Sequence, residues 1–162
     1  MATYYNIESQ LNDEGGGVPL VIDIKGGSNS PIKSGTALDA YTPTGNDNQW
    51  WELVPDGTSG YVFIQSKLKD EDGDHLVIDI EHGNKPVNPN AGLDAYKKKS
   101  SNNNNQLWKF VEQQPGWYVI QSKMTDKDGN TLVIDIRGAS DENRRDIEKP
   151  HLGPGEYVDN NL

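Results

Sequence analysis

Val21-Ile22-Asp23-Ile24 recurs as Val77-Ile78-Asp79-Ile80 and again as Val133-Ile134-Asp135-Ile136, each copy 56 positions after the last. Repetition at a fixed step is the mark of a repeat architecture, and it orders the reading of the rest of the chain. Ile-Gln-Ser-Lys begins at Ile64 and Ile120, again 56 apart. Leu-Asp-Ala-Tyr begins at Leu38 and Leu93, and Asn-Gln-x-Trp carries its Gln at Gln49 and Gln106, intervals of 55 and 57. The 162 residues are therefore expected to form one domain of three repeats, at about 1–57, 58–115 and 116–162.

Within a unit the segments are short and rich in Val, Ile, Tyr and Trp, and Gly, Asn, Asp and Pro bound them, which is strand and turn grammar. The middle unit reads as strands over Tyr61 to Lys67, His75 to Glu81, Gly92 to Lys97 and Gln106 to Glu112. Asp72-Gly73 and Asp128-Gly129 mark hairpin turns. A four-stranded unit of this length does not suit a helical solenoid, whose repeats show a 3.6-residue apolar period. Propeller blades normally number at least four. Three four-stranded units can share a core if each gives two strands to a barrel and two to a cap, which hides most strand edges. The fold class expected is all-β, a β-trefoil. The third Gln-x-Trp would fall near position 162, where the chain reads Asn160-Asn161-Leu162, so the last strand of the third repeat is expected to be missing. An edge left open there invites pairing with a second copy, a homodimer.

Composition narrows the function. The chain has no Cys, which excludes disulfides, thiolate metal sites and a thiol nucleophile. Its 15 Lys+Arg against 25 Asp+Glu give a net charge of −10, which argues against nucleic acid and anionic bilayers. Lys97 to Lys99 is the only basic run. No stretch suits a signal peptide or membrane insertion, so the reading is a soluble protein, cytoplasmic or non-classically secreted. The three His fall in unlike repeat contexts, and neither G-x-S-x-G nor HExxH occurs. Asp70 to Asp74 and Asp126 to Asn130 resemble the opening of a calcium loop, but Arg137 stands where the third unit would need the closing Glu. Hairpin turns are the preferred reading, and neither metal nor cofactor is expected.

Strand alternation suggests what the repeated residues do. Gln49 with Trp51, and Gln106 with Trp108, should share the interior, the Trp filling the core and the Gln satisfying backbone groups. If Ile22 and Ile24 point inward, Val21, Asp23 and Lys25 point outward. A carboxylate so placed can take two charge-assisted hydrogen bonds from adjacent hydroxyls of a sugar. Tyr41 and Tyr96, which close the Leu-Asp-Ala-Tyr strands, can cover the C–H face of a pyranose. A turn or ladder role for the Asp is the competing reading.

Three I/V-D-I/V strands in register with two Q-x-W motifs resemble the ricin-type (R-type, ricin B-like) β-trefoil lectins over nearly the whole chain. In that family the strand Asp, an aromatic on the third strand and an Asn before Q-x-W contact galactose-like sugars. The resemblance implies a first site of Asp23, Tyr41 and Asn48 and a second of Asp79, Tyr96 and Asn105. Asp39 and Asp94 share the tyrosine's face and are expected to add polar contacts. The third unit keeps Asp135, but its third strand reads Arg145-Asp146-Ile147-Glu148, with Glu148 at the tyrosine's place, so its site is expected to be empty or altered. The implied function is a non-catalytic, multivalent lectin binding galactose or N-acetylgalactosamine-type glycans on glycoproteins or glycolipids. The alternative is a β-trefoil protease inhibitor or another protein-binding module.

Overall fold

The computed structural model describes residues 2–12, 16–57, 60–81, 83 and 86–136, together with the backbone of 150–154. Among these, the first unit supplies β1 (Glu8–Asn12), β2 (Pro19–Ile24), β3 (Thr36–Tyr41) and β4 (Trp51–Pro55). The second supplies β5 (Val62–Lys69), β6 (His75–Ile80), β7 (Leu93–Lys97) and β8 (Trp108–Gln114). The third supplies β9 (Trp117–Thr125), β10 (Thr131–Ile136) and β11 (Pro150–Pro154). The only helical pieces described are two 3₁₀ turns, Asp47–Gln49 and Asn104–Gln106.

The architecture is an all-β trefoil. Its strand pairs are antiparallel and run in the order β1-β2-β3-β7-β6-β5-β8-β9-β10-β11, with β4 on β5. Units are joined edge to edge where β3 meets β7, through Thr36↔Ala95 and Ala37↔Asp94. Within the second unit β5 meets β8 through Val62↔Trp108, and the isolated bridge Tyr5↔Trp51 repeats that join in the first. The twelfth strand's place follows residue 154, outside the described residues.

Both expected hairpins form. Asp70 Oδ1 accepts the backbone N–H of Asp72 and Asp74 at 3.0 and 2.7 Å, and Gly73 takes the left-handed φ of +84° that the turn needs. Asp126 Oδ1 does the same for Asp128 and Asn130 at 2.9 and 2.8 Å. These carboxylate oxygens serve the backbone, which is why the sequence here makes turns.

The core follows the repeat. Ile22, Ile24, Leu38, Trp51, Ile78, Ile80, Leu93, Trp108 and Leu132 pack in one buried cluster. Each buried indole keeps a partner: Trp51 Nε1 donates to the Ile22 carbonyl at 3.1 Å and Trp108 Nε1 to the Ile78 carbonyl at 3.0 Å. Each thus ties the closing strand of its unit to the Val-Ile-Asp-Ile strand.

Three expectations are corrected. The closing strands start at the Trp, two residues later than expected, because Gln49 and Gln106 end 3₁₀ turns held by Gln49 N–H to the Asn46 carbonyl (3.1 Å) and Gln106 N–H to the Asn103 carbonyl (2.8 Å). The outer face of the Val-Ile-Asp-Ile strand is not open: Val21, Asp23, Val77 and Asp79 are all buried. A second cluster of Phe63, Val77 and Leu107 covers it in the middle unit, since the 3₁₀ turn and the residue after it fold back over the strand. In the third unit the strand beside β10 is β11, not the segment around Arg145, which lies outside the described residues with Asp146, Ile147 and Glu148. Its register sets Gly153 opposite Val133, as Tyr96 stands opposite Val77, so glycine rather than Glu148 holds the tyrosine's place.

Candidate functional site

The site is built twice, where the repeated Asp strand meets the 3₁₀ turn of the same unit. On β2, Asp23 lies in register with Asp39 of β3, and on β6, Asp79 lies in register with Asp94 of β7. Directly paired acids repel, and burial raises the penalty further. The chain answers with amides. Asn48 Nδ2 and Gln49 Nε2 both donate to Asp23 Oδ2 at 2.8 Å. In the second unit Asn105 Nδ2 reaches Asp79 Oδ1 and Gln106 Nε2 reaches Asp79 Oδ2, each at 2.8 Å.

Each amide also grips the backbone, so the clip is rigid. Asn48 Nδ2 donates to the Ile24 carbonyl at 3.1 Å and Asn105 Nδ2 to the Ile80 carbonyl at 3.2 Å. Gln49 bridges Thr42 and Thr44, donating to the first carbonyl and accepting from the second N–H; Gln106 does the same for Lys97 and Lys99. The glutamines satisfy backbone groups as the sequence suggested, and they also hold the carboxylate, which it did not suggest.

Burial leaves its mark on the acids. Loss of hydration, followed by the neighbouring Asp39, pushes Asp23 up to about 6 against the bonds from Gln49 and Asn48. Asp94 rises to about 7, first through burial and then through the charges of Asp79 and Glu81, with Lys99 opposing. Burial also raises Asp79, and its bonds to Gln106 and Lys99 counter it. Asp23 and Asp94 therefore sit near the boundary between accepting and donating a hydrogen bond at neutral pH.

Beside each clip stands an exposed aromatic. Tyr41 is 52% and Tyr96 41% exposed, whereas Asp23 and Asp79 are only 6% and 3% exposed. The arrangement offers a ring face to solvent next to polar oxygens lying deeper in the protein. Two of those oxygens have no hydrogen-bond partner although buried: Asn48 Oδ1 and Asp94 Oδ1.

The units differ at one decisive place. Lys99 reaches over the second site, its Nζ 3.1 Å from Asp79 Oδ2, 3.3 Å from Asn105 Oδ1 and 5.1 Å from the centre of the Tyr96 ring. The first unit has Thr44 there, identified by the same backbone bond to the clip glutamine. In the third unit Asp135 is exposed, and among the described residues its carboxylate accepts the N–H of Ile136 at 2.8 Å.

Sequence reasoning missed two groups here. In the sequence Lys99 stands out only as part of a basic run. Gly27 and Gly83 back the asparagines: a Cβ on Gly27 would lie 2.9 Å from Asn48 Cβ, and one on Gly83 3.0 Å from Asn105 Cβ. The signal was present, since both follow their Asp by four residues, while the third unit has Ala139 at that step; Ala139 lies outside the described residues. Among the described residues no group of three or more acidic or His side chains is arranged to hold a metal, and no helix is long and apolar enough to cross a membrane.

No known protein family matches the sequence, and no curated protein matches it. Solved structures do. A designed 3-fold symmetric protein, ThreeFoil, superposes with a TM-score of 0.68 at 22% identity over 97% of this chain and 93% of that one. A mosquitocidal holotoxin matches with a TM-score of 0.68 at 16% identity; 98% of this chain corresponds to 16% of the toxin's length. The β-trefoil lectin of the Vibrio vulnificus hemolysin/cytolysin, solved with N-acetyl-D-lactosamine bound, matches with a TM-score of 0.62 at 14% identity over 95% of this chain and 86% of that one. At these identities the likeness establishes what the strand order already shows: the chain has the β-trefoil fold.

Proposed function

We propose that the protein is a non-catalytic lectin that binds galactose or N-acetylgalactosamine-type glycans through its first two repeats. The observation that carries the reading is the twice-built pairing of a clipped, buried carboxylate with an exposed tyrosine, Asp23 with Tyr41 and Asp79 with Tyr96. A sugar is the ligand that needs both surfaces, a flat apolar wall for its C–H face and fixed acceptors for its hydroxyls. A trefoil lectin solved with N-acetyl-D-lactosamine supports the fold's suitability for such ligands. The repeats favour binding over catalysis, because copies of one shallow site multiply avidity rather than assemble an acid–base pair. Each site alone corresponds to about millimolar affinity, about −4 kcal/mol.

The test is a glycan array with the purified chain, repeated in excess free galactose. Binding to terminal galactose or N-acetylgalactosamine that free sugar abolishes supports the reading. Silence from a folded sample overturns it and brings forward protease inhibition or another protein-binding role.

A further inference from the structure

The second site contains a template for its own ligand. A tethered ammonium, that of Lys99, lies on the Asp79 carboxylate, on Asn105 Oδ1 and over the Tyr96 ring. The first unit presents the same three groups, Asp23, Asn48 and Tyr41, but Thr44 supplies no cation. The consequence is visible in one atom: Asn105 Oδ1 accepts from Lys99, while Asn48 Oδ1, on a side chain only 3% exposed, has no partner. Asp23 and Asp39 face each other beside it. Lys25 stands at the register place of Glu81 but is exposed and forms no ion pair with Asp23 among the described residues, and Lys67 is engaged by Asp47 at 2.7 Å.

We infer that the first site selects a glycan carrying a free ammonium, an N-unsubstituted hexosamine, whose cation takes the place over Asp23, Asn48 Oδ1 and Tyr41 that Lys99 takes in the second. The inference rests on the reading of these residues as a sugar site and adds the class of sugar. An ammonium donates to the carboxylate and the amide oxygen together and attracts the ring face, none of which a neutral hydroxyl does as strongly. A sugar suits the site better than a free lysine side chain because the exposed Tyr41 ring also offers a wall for a pyranose. The two sites are consequently unequal. In the second, Lys99 already holds the ammonium position, so a sugar binds there without a cation of its own.

The test is calorimetric titration near neutral pH of the full chain with galactosamine, galactose, N-acetylgalactosamine and a blocked lysine (Nα-acetyl-lysine amide). Wild-type protein should bind galactosamine about tenfold more tightly than galactose, the scale of one charge-assisted hydrogen bond, with one such site per chain. Thr44→Lys should abolish that preference, since its backbone N–H can keep the bond to Gln49 while its ammonium fills the site. Lys99→Thr should raise the number of galactosamine sites from one to two, and it decides the matter should Thr44→Lys fail to fold. If galactose binds but galactosamine binds no more tightly, the inference falls and the sugar site stands. If neither sugar binds to folded protein, the lectin reading itself falls. Blocked lysine binding as tightly as galactosamine would overturn the amino-sugar assignment in favour of a protein ligand.

Discussion

Replacing Asp79 by Ala separates a carboxylate that merely faces solvent from one that holds the fold. Asp79 accepts from Asn105, Gln106 and Lys99 at 2.8, 2.8 and 3.1 Å, and only 3% of it is exposed. Hydrogen bonds to a charged group contribute about 1.5–3 kcal/mol each. Two offsets reduce the loss. Asn105 and Gln106 keep their carbonyl partners, Ile80 and Lys97, and removing a carboxylate that burial already penalises recovers part of its desolvation. The net destabilisation is about 3 kcal/mol, or a fall in Tm of about 6–12 °C for a domain of this size. Asp135→Ala is the internal control: its carboxylate is exposed, so the change should stay within about 0.5 kcal/mol. Thermal and urea denaturation of the two variants beside wild type provide the comparison. Equal melting of Asp79→Ala and Asp135→Ala would refute the view that the clip stabilises the second unit.

Three other outcomes follow from the same geometry. Tyr41→Ala with Tyr96→Ala should remove glycan binding while leaving Tm nearly unchanged, because both side chains lie at the surface outside the buried core; a large Tm loss on differential scanning calorimetry would contradict their placement. Gly27→Ala forces a Cβ to within 2.9 Å of Asn48 Cβ and 3.0 Å of the Ile24 carbonyl, so it should cost about 1–3 kcal/mol and weaken the first site, whereas Gly17→Ala, with nothing within 4 Å, should do neither in the same denaturation and titration assays. For pH, Asp23 and Asp94 move from 3.8 up to about 6 and about 7. The folded chain therefore holds protons that the unfolded chain has released between those values, and the contribution of these groups to stability falls as pH rises through that window. Tm should accordingly be higher near pH 5 than near pH 7.5, and Asp94→Asn should shrink the difference; an unchanged difference in that variant would exclude Asp94 as its source.

Periodicity made the trefoil legible, because a strand and its core partners recur wherever the backbone geometry recurs. Trp51 and Trp108 were readable for the same reason: a large apolar residue at the same place in two units must be filling a shared interior. The depth of Asp23 and Asp79 was not readable. Alternation correctly put them on the face away from the core, yet it says nothing of what a later segment lays over that face, and the 3₁₀ turns bearing Asn48 and Asn105 do so from 25 and 26 residues away. Lys99 escaped notice because its meaning depends on where Gln106 anchors its backbone. The third strand of the last unit was misplaced since no Leu-Asp-Ala-Tyr copy remains there to fix the register, and pairing with β10 falls to Pro150–Pro154 instead.

The most direct test of the central claim is an amide-resolved NMR titration with N-acetylgalactosamine, following the side-chain amides of Asn48, Gln49, Asn105 and Gln106 together with the backbone at Tyr41 and Tyr96. The account predicts saturable shifts confined to these two clusters, with the residues around Asp135 unmoved. Shifts clustered elsewhere on the trefoil, or none up to sugar concentrations well above millimolar, would contradict it.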